Sequence, residues 1–217
     1  MGKKVGFSII LILSFVLAVS AIVRYFILDP VEGNAIIISE GLEMFKMENQ
    51  LWNIALYIHI ITAALPLVIG PFLFIKKWRN RHLQLHRNFG KIYVITILIS
   101  SIVGIYLSFY AHGGFLAKLG FFGLSLAWLY TTFKAYKYIR NKQQAMHEEW
   151  MYRSFAVTFA ALTFRVWTAL VGYSLDNFTA GYVAAIWLSW VGNLVAVELW
   201  IRFKHRKKTK ISGNVSV

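Results

Sequence analysis

Six long apolar runs separated by short polar breaks set the pattern of this chain. They are Val5–Leu28, Leu51–Ile75, Lys91–Ala111, Leu116–Ile139, Ser154–Tyr173 and Tyr182–Phe203. Each is near the roughly 20 residues that a helix needs to cross a hydrocarbon core of about 30 Å. The pattern predicts an all-α, polytopic membrane protein with six transmembrane helices. Residues 1–28 read as an N-terminal membrane anchor helix, 29–50 as an acidic extracytoplasmic loop, 51–203 as a helical membrane domain and 204–217 as a basic cytoplasmic tail. The first run has a second reading. Lys3 and Lys4, an apolar stretch and Ala18-Val19-Ser20 resemble a cleavable secretory signal, but apolar residues continue to Leu28 and favour a retained anchor.

Within the runs, small and polar residues recur at helical spacing, and lipid-embedded helices meet along such stripes. On the second run these are His59, Thr62, Ala63, Pro66 and Gly70. On the third, His86, Gly90, Tyr93, Ile97, Ser101, Gly104 and Ser108 fall in line. The fourth offers Gly120, Gly123, Ala127 and Thr131, and the fifth Ser154, Thr158, Ala161, Arg165, Thr168 and Gly172. An early start to the fifth helix adds His147 and Trp150 to its stripe. The expectation is a central four-helix bundle of the second to fifth spans, with the first and sixth at its edge.

Composition agrees. The 217 residues are 58% hydrophobic and 15% charged, against about 45–50% and 25% in a soluble domain. The formal charge of +14 first suggests a polyanion partner. Its distribution changes that reading. Basic residues crowd the breaks after the second and fourth spans, follow the sixth and precede the first. Asp29, Glu32, Glu40, Glu43 and Glu48 fall in the opposite loop. Positive-inside bias then predicts a multi-pass protein of the plasma membrane with both termini cytoplasmic. The charge suits anionic headgroups on that side, and no nucleic-acid motif accompanies it. Cysteine is absent, which leaves histidine as the metal ligand the core offers.

The histidines fall at two depths. His59 lies about 10–12 Å inside its span at 1.5 Å per residue, where ionisable groups are costly. His86 and His147 lie at the cytoplasmic interface, and His112 in the outer turn His112-Gly113-Gly114. His82 and His205 read as solvated. An interfacial histidine is often only a polar group, but imidazole is also the usual axial ligand of haem iron. Arg165 lies near mid-membrane and needs an anion. Glu198 on the sixth span is one candidate; a haem propionate, a quinone oxygen or a lipid phosphate is another.

Several strings carry a family resemblance. They are Leu85-His86-Arg87-Asn88-Phe89-Gly90-Lys91-Ile92-Tyr93 after Ile69-Gly70-Pro71-Phe72, then Gly113-Gly114 with Leu119-Gly120-Phe121. His147-Glu148-Glu149-Trp150-Met151-Tyr152-Arg153-Ser154 follows, with Ala160-Ala161-Leu162-Thr163-Phe164-Arg165. Over roughly residues 50 to 203 the chain resembles the bacterial membrane family termed domain of unknown function 2306. The resemblance implies that His59, His86, Arg87, Gly90, His147, Trp150, Arg153 and Arg165 occupy motif positions, and that His112 does not. A more distant likeness is to b-561-type transmembrane cytochromes, with six helices and histidines on the central four. Leu85-His86 with Gly90 matches their Leu-His-x-x-x-Gly string. The fourth span departs from them, having no histidine.

Two readings of function follow. In the first, the protein is a haem-binding transmembrane electron carrier using haem b. His86 and His147 are its iron ligands, His59, Arg87, Arg153 and Arg165 complete the cofactor site, and a quinone or another redox partner exchanges electrons. In the second, it is a non-redox protein in which His59 and Arg165 line a polar pocket for a lipid, a quinone or a proton path, or it is an accessory structural subunit. Hydrolytic and phosphoryl-transfer chemistry lacks its motifs: no His-Glu-x-x-His string, no intramembrane carboxylate pair, no Gly-rich phosphate loop.

Overall fold

The computed structural model describes residues 2–27 and 50–213, with side chains from 6 to 27 and from 50 to 207. The acidic loop expected over 29–50 lies outside the described residues except for Gln50. All described secondary structure is helical. Helix α1 is Gly2–Phe26, α2 Gln50–Leu73, α3 Lys76–Arg81, α4 Leu83–Ser108 and α5 Gly114–Arg140. Then come α6 Gln144–Thr158, α7 Ala160–Leu175, α8 Phe178–Trp187, a π-turn Leu188–Gly192 and α9 Asn193–Gly213.

Five of these stretches are long and apolar enough to cross a membrane, and the bent pair α6–α7 makes a sixth when it is counted as one span. Their outward faces carry Phe15, Ile102, Phe133, Leu170 and Leu199, all exposed, as lipid-facing helices require. The protein is thus a polytopic, all-α membrane protein.

The chain forms two compact units, Met1–Tyr130 and Thr131–Val217, with α5 running from one into the other. In the first, α1 packs on α2 and α2 along α4. The contact face of α1 is Ser14, Leu17 and Ala18, all buried, at i, i+3 and i+4. In the second, α7 and α8 form a hairpin and α6 packs on α9. Helix α5 ends with Lys142 at φ 59°, where Gln143 N–H donates to Tyr138 O at 2.9 Å and Lys142 N–H to Ile139 O at 3.1 Å. This Schellman pattern turns the chain sharply into α6.

Two spans differ from expectation. Helix α4 begins eight residues before the apolar run, because Leu83–Gly90 loses hydrophobicity without a helix breaker. His86 therefore lies within the first turns of a continuous helix. The fifth span is broken: α6 and α7 meet at Phe159 with a bend of 42°. The break resets helical phase, so the stripe counted through it holds only on one side. Ser154 and Thr158 are buried, whereas Ala161 and Arg165 are exposed.

Candidate functional site

His59 is the most elaborately held polar group of the first unit. Its Nδ1 lies 3.0 Å from both the carbonyl oxygen and the Oγ of Ser100 on α4. A carbonyl only accepts, so Nδ1 carries the hydrogen and donates. The Ser100 hydroxyl turns toward the His59 carbonyl at 3.4 Å. The ring fits because Gly104 has no side chain: a Cβ there would lie 3.3 Å from His59 Cε1 and 2.8 Å from Ser125 Oγ on α5. Ser125 donates to Phe121 O at 3.0 Å. Three helices thus meet around one imidazole, and Ser101 adds a buried hydroxyl on the same stretch of α4.

His86 and Arg87 also belong to the first unit, on the opening turns of α4. His86 meets the edge of Trp78 on α3, ring centroids 6.3 Å apart, and Arg87 and Lys91 are exposed. His112 is exposed in the turn before α5.

In the second unit, the string His147–Ser154 makes up the middle of α6. His147 Nδ1 donates to Ala135 O at 2.8 Å, and Ser154 Oγ pairs with Thr132 Oγ1 at 2.7 Å in a buried contact. Both bonds tie α6 to α5. Trp150 is sandwiched: Tyr138 stacks on it at 6.3 Å, the Arg153 guanidinium lies 4.8 Å from its ring centre and Lys134 Nζ 5.9 Å. Arg153 donates to Glu198 Oε2 at 2.7 and 3.0 Å, and Arg202 reaches Glu198 Oε1 at 3.4 Å. Glu149 accepts from His205 Nε2 at 2.6 Å and lies 3.9 Å from Arg153.

These contacts correct two expectations. Glu198 pairs with Arg153 and Arg202 rather than with Arg165. Arg165 turns outward beyond the break and donates to Ala161 O at 2.6 Å. His205, expected to be only solvated, is bonded to Glu149.

A second polar cluster escaped the sequence reading. Asn193 Nδ2 donates to Ala156 O and to Thr163 Oγ1, both at 3.0 Å, and Thr163 Oγ1 lies 3.4 Å from Ser189 O. One amide thereby bridges α6, α7 and the π-turn, where the 42° bend and the π-turn interrupt regular helix. The available signal was Asn193 itself, an amide inside an apolar run, where polar groups must find partners. Ser100, Ser125 and Thr132 were missed because each sits one or two residues off the stripe that was counted.

Among the described residues, no three His, Asp or Glu side chains converge as a metal cluster. Imidazole ligation of haem requires only histidine.

The family described as "Predicted membrane protein (DUF2306)" matches residues 56–201. The chain belongs to the DUF2306 family. No curated protein and no solved structure matches it. The DUF2306 segment contains His59, His86, Arg87, His147, Arg153 and Arg165, together with the Asn193 cluster. It leaves out α1 and His205.

Proposed function

We propose that this DUF2306 protein is a haem-binding electron carrier of the cell membrane, with His147 as an axial ligand to haem b iron. It spans the membrane with its basic ends cytoplasmic. The observation that carries this reading is the His147 hydrogen bond to Ala135 O at 2.8 Å. It puts a hydrogen on Nδ1 and so makes Nε2 the nitrogen through which the ring would ligate iron, the way ligating histidines are generally oriented. The donor chemistry fits haem: a fixed imidazole on the same helix as Trp150, whose ring stacks on Tyr138, and the Lys134 ammonium 5.9 Å from that ring for a propionate. Haem, when bound, supplies a one-electron couple.

The chain's own groups hold and orient. Arg153 is engaged by Glu198 and by the face of Trp150, so it stiffens the His147 string and offers little free charge to a ligand. Arg87 and Lys91, exposed on the first unit, draw an anionic donor or quinol headgroup. Arg165, exposed on α7 and bonded to Ala161 O, adds positive charge to the surface that an acidic redox partner would meet.

His59 favours a second reading, a non-redox polar pocket for a quinone or a proton path. Its ring is fixed inside the first unit among hydroxyls and oriented in the same way as His147.

An absorption spectrum of protein purified in mild detergent from haem-replete cells separates the two. The carrier reading expects a Soret band that is lost in His147→Ala and kept in His205→Ala. The same spectra of His86→Ala and His59→Ala report whether either imidazole ligates iron. Folded wild-type protein that stays haem-free after loading refutes the carrier and leaves the His59 pocket.

A further inference from the structure

We infer that Tyr152, Trp200 and Lys204 form a binding site for the headgroup of an anionic phospholipid. On α9, Lys204 is half-buried while Arg202, Phe203, His205, Arg206 and Lys207 around it are exposed. Its ammonium lies 5.3 Å from the ring centre of Trp200 and 5.5 Å from that of Tyr152 on α6. The two rings meet edge to face at 4.8 Å. The side chain is therefore held in place by two aromatic faces. Cation–aromatic contact leaves ammonium N–H groups free to donate.

The charge balance of this end points to an anion. Glu198 is taken by Arg153 and Arg202, and Glu149 by His205 and Arg153. Among the described residues Lys204 has aromatic partners and no carboxylate. A positioned cation without a counter-charge is suited to a ligand that brings one.

Depth identifies the ligand as a lipid. The span containing α9 starts at Phe178, so Lys204 lies about 39 Å along it at 1.5 Å per residue. A hydrocarbon core of about 30 Å ends before that point, which puts Lys204 at the level of the headgroups. Leu199 and Phe203, 62% and 68% exposed, lie one turn apart on the adjacent face and offer an apolar track for acyl chains. The headgroup phosphate then lies on Lys204, with the chains running back along α9.

Native mass spectrometry of the full chain, delipidated in detergent and re-exposed to phosphatidylglycerol, phosphatidylcholine or inorganic phosphate, tests the site. Phosphatidylglycerol should be retained over phosphatidylcholine, and Lys204→Gln should lower that retention about fivefold. Trp200→Leu should do the same with the charge left in place, while Lys207→Gln changes it less than twofold. If Lys204→Gln fails to fold, Lys204→Arg must keep the preference that Trp200→Leu loses. Equal retention of the two lipids overturns the proposal, as do equal losses in Lys204→Gln and Lys207→Gln. Displacement by inorganic phosphate at matched concentration also overturns it, by identifying a free-anion site.

Discussion

Adding one methyl group at Gly104 tests how tightly the first unit closes around His59. Two effects oppose each other. Alanine is favoured over glycine in a helix interior by about 1 kcal/mol, so an open position would become more stable. Here the new Cβ would lie 2.8 Å from Ser125 Oγ and 3.3 Å from His59 Cε1, inside the roughly 3.5–4.0 Å at which heavy atoms pack without repulsion. The serine can rotate away only by giving up its 3.0 Å bond to Phe121 O. The imidazole can retreat only by lengthening its bonds to Ser100. Overpacking of this kind costs about 1–3 kcal/mol. The net expectation for Gly104→Ala is a loss of about 1 kcal/mol.

Ser125→Ala removes the nearer obstacle, leaving 3.3 Å as the closest approach. The two substitutions should therefore couple by at least about 0.5 kcal/mol in a double-mutant cycle. Unfolding by sodium dodecyl sulphate in mixed micelles, followed by helical circular dichroism, measures all four variants. Gly104→Ala that gains the full propensity term, with effects additive to those of Ser125→Ala, would refute the packing described here.

Two further substitutions probe the second unit. Gly181→Ala places a Cβ 2.4 Å from the Cα and N of Gly172, main-chain atoms with no rotamer to escape into. It should cost about 3 kcal/mol and abolish a monodisperse peak in size-exclusion chromatography, whereas a normal peak and unchanged stability would show that the α7–α8 hairpin is wider than described. Asn193→Leu keeps the volume and deletes two hydrogen bonds across the break, for a loss of about 1–2 kcal/mol; hydrogen exchange should quicken at Phe159–Thr163, and unchanged exchange there would deny Asn193 its bridging role.

The spans were legible in the sequence because crossing a bilayer demands long apolar runs, and such runs need no tertiary context to be seen. Helix ends were less legible. Hydropathy falls between Leu83 and Gly90, yet nothing there breaks a helix, so α4 continues and carries His86 with it. The break at Phe159 left no proline or glycine to mark it. Thr158 and Thr163 both bond back to carbonyls of their own segment, a habit that bends helices, but threonine is too common in spans to signal a bend alone. Arg165 was misplaced for this reason: a stripe counted at constant phase through a 42° bend points its far half the wrong way.

Partner choice was the other limit. Spacing can set Arg153 near the end of a helix, but only the tertiary structure brings Glu198 to it across 45 residues. Once that pair, the Asn193 bridge and the back-bonded serines and threonines are accounted for, the charged and polar groups of the spans divide into those whose bonds serve only the fold and those that also carry an atom able to do chemistry. His59 and His147 fall in the second set. Each is fixed through Nδ1 by a main-chain carbonyl. A packing role alone would be met by an apolar side chain without the cost of placing imidazole in or beside lipid. The Nδ1 bond joins helices in each case and also orients the ring, so that Nε2 is the nitrogen through which each imidazole would act; the arginines of the spans, held by Glu198 or by a main-chain carbonyl, have no such second reactive atom.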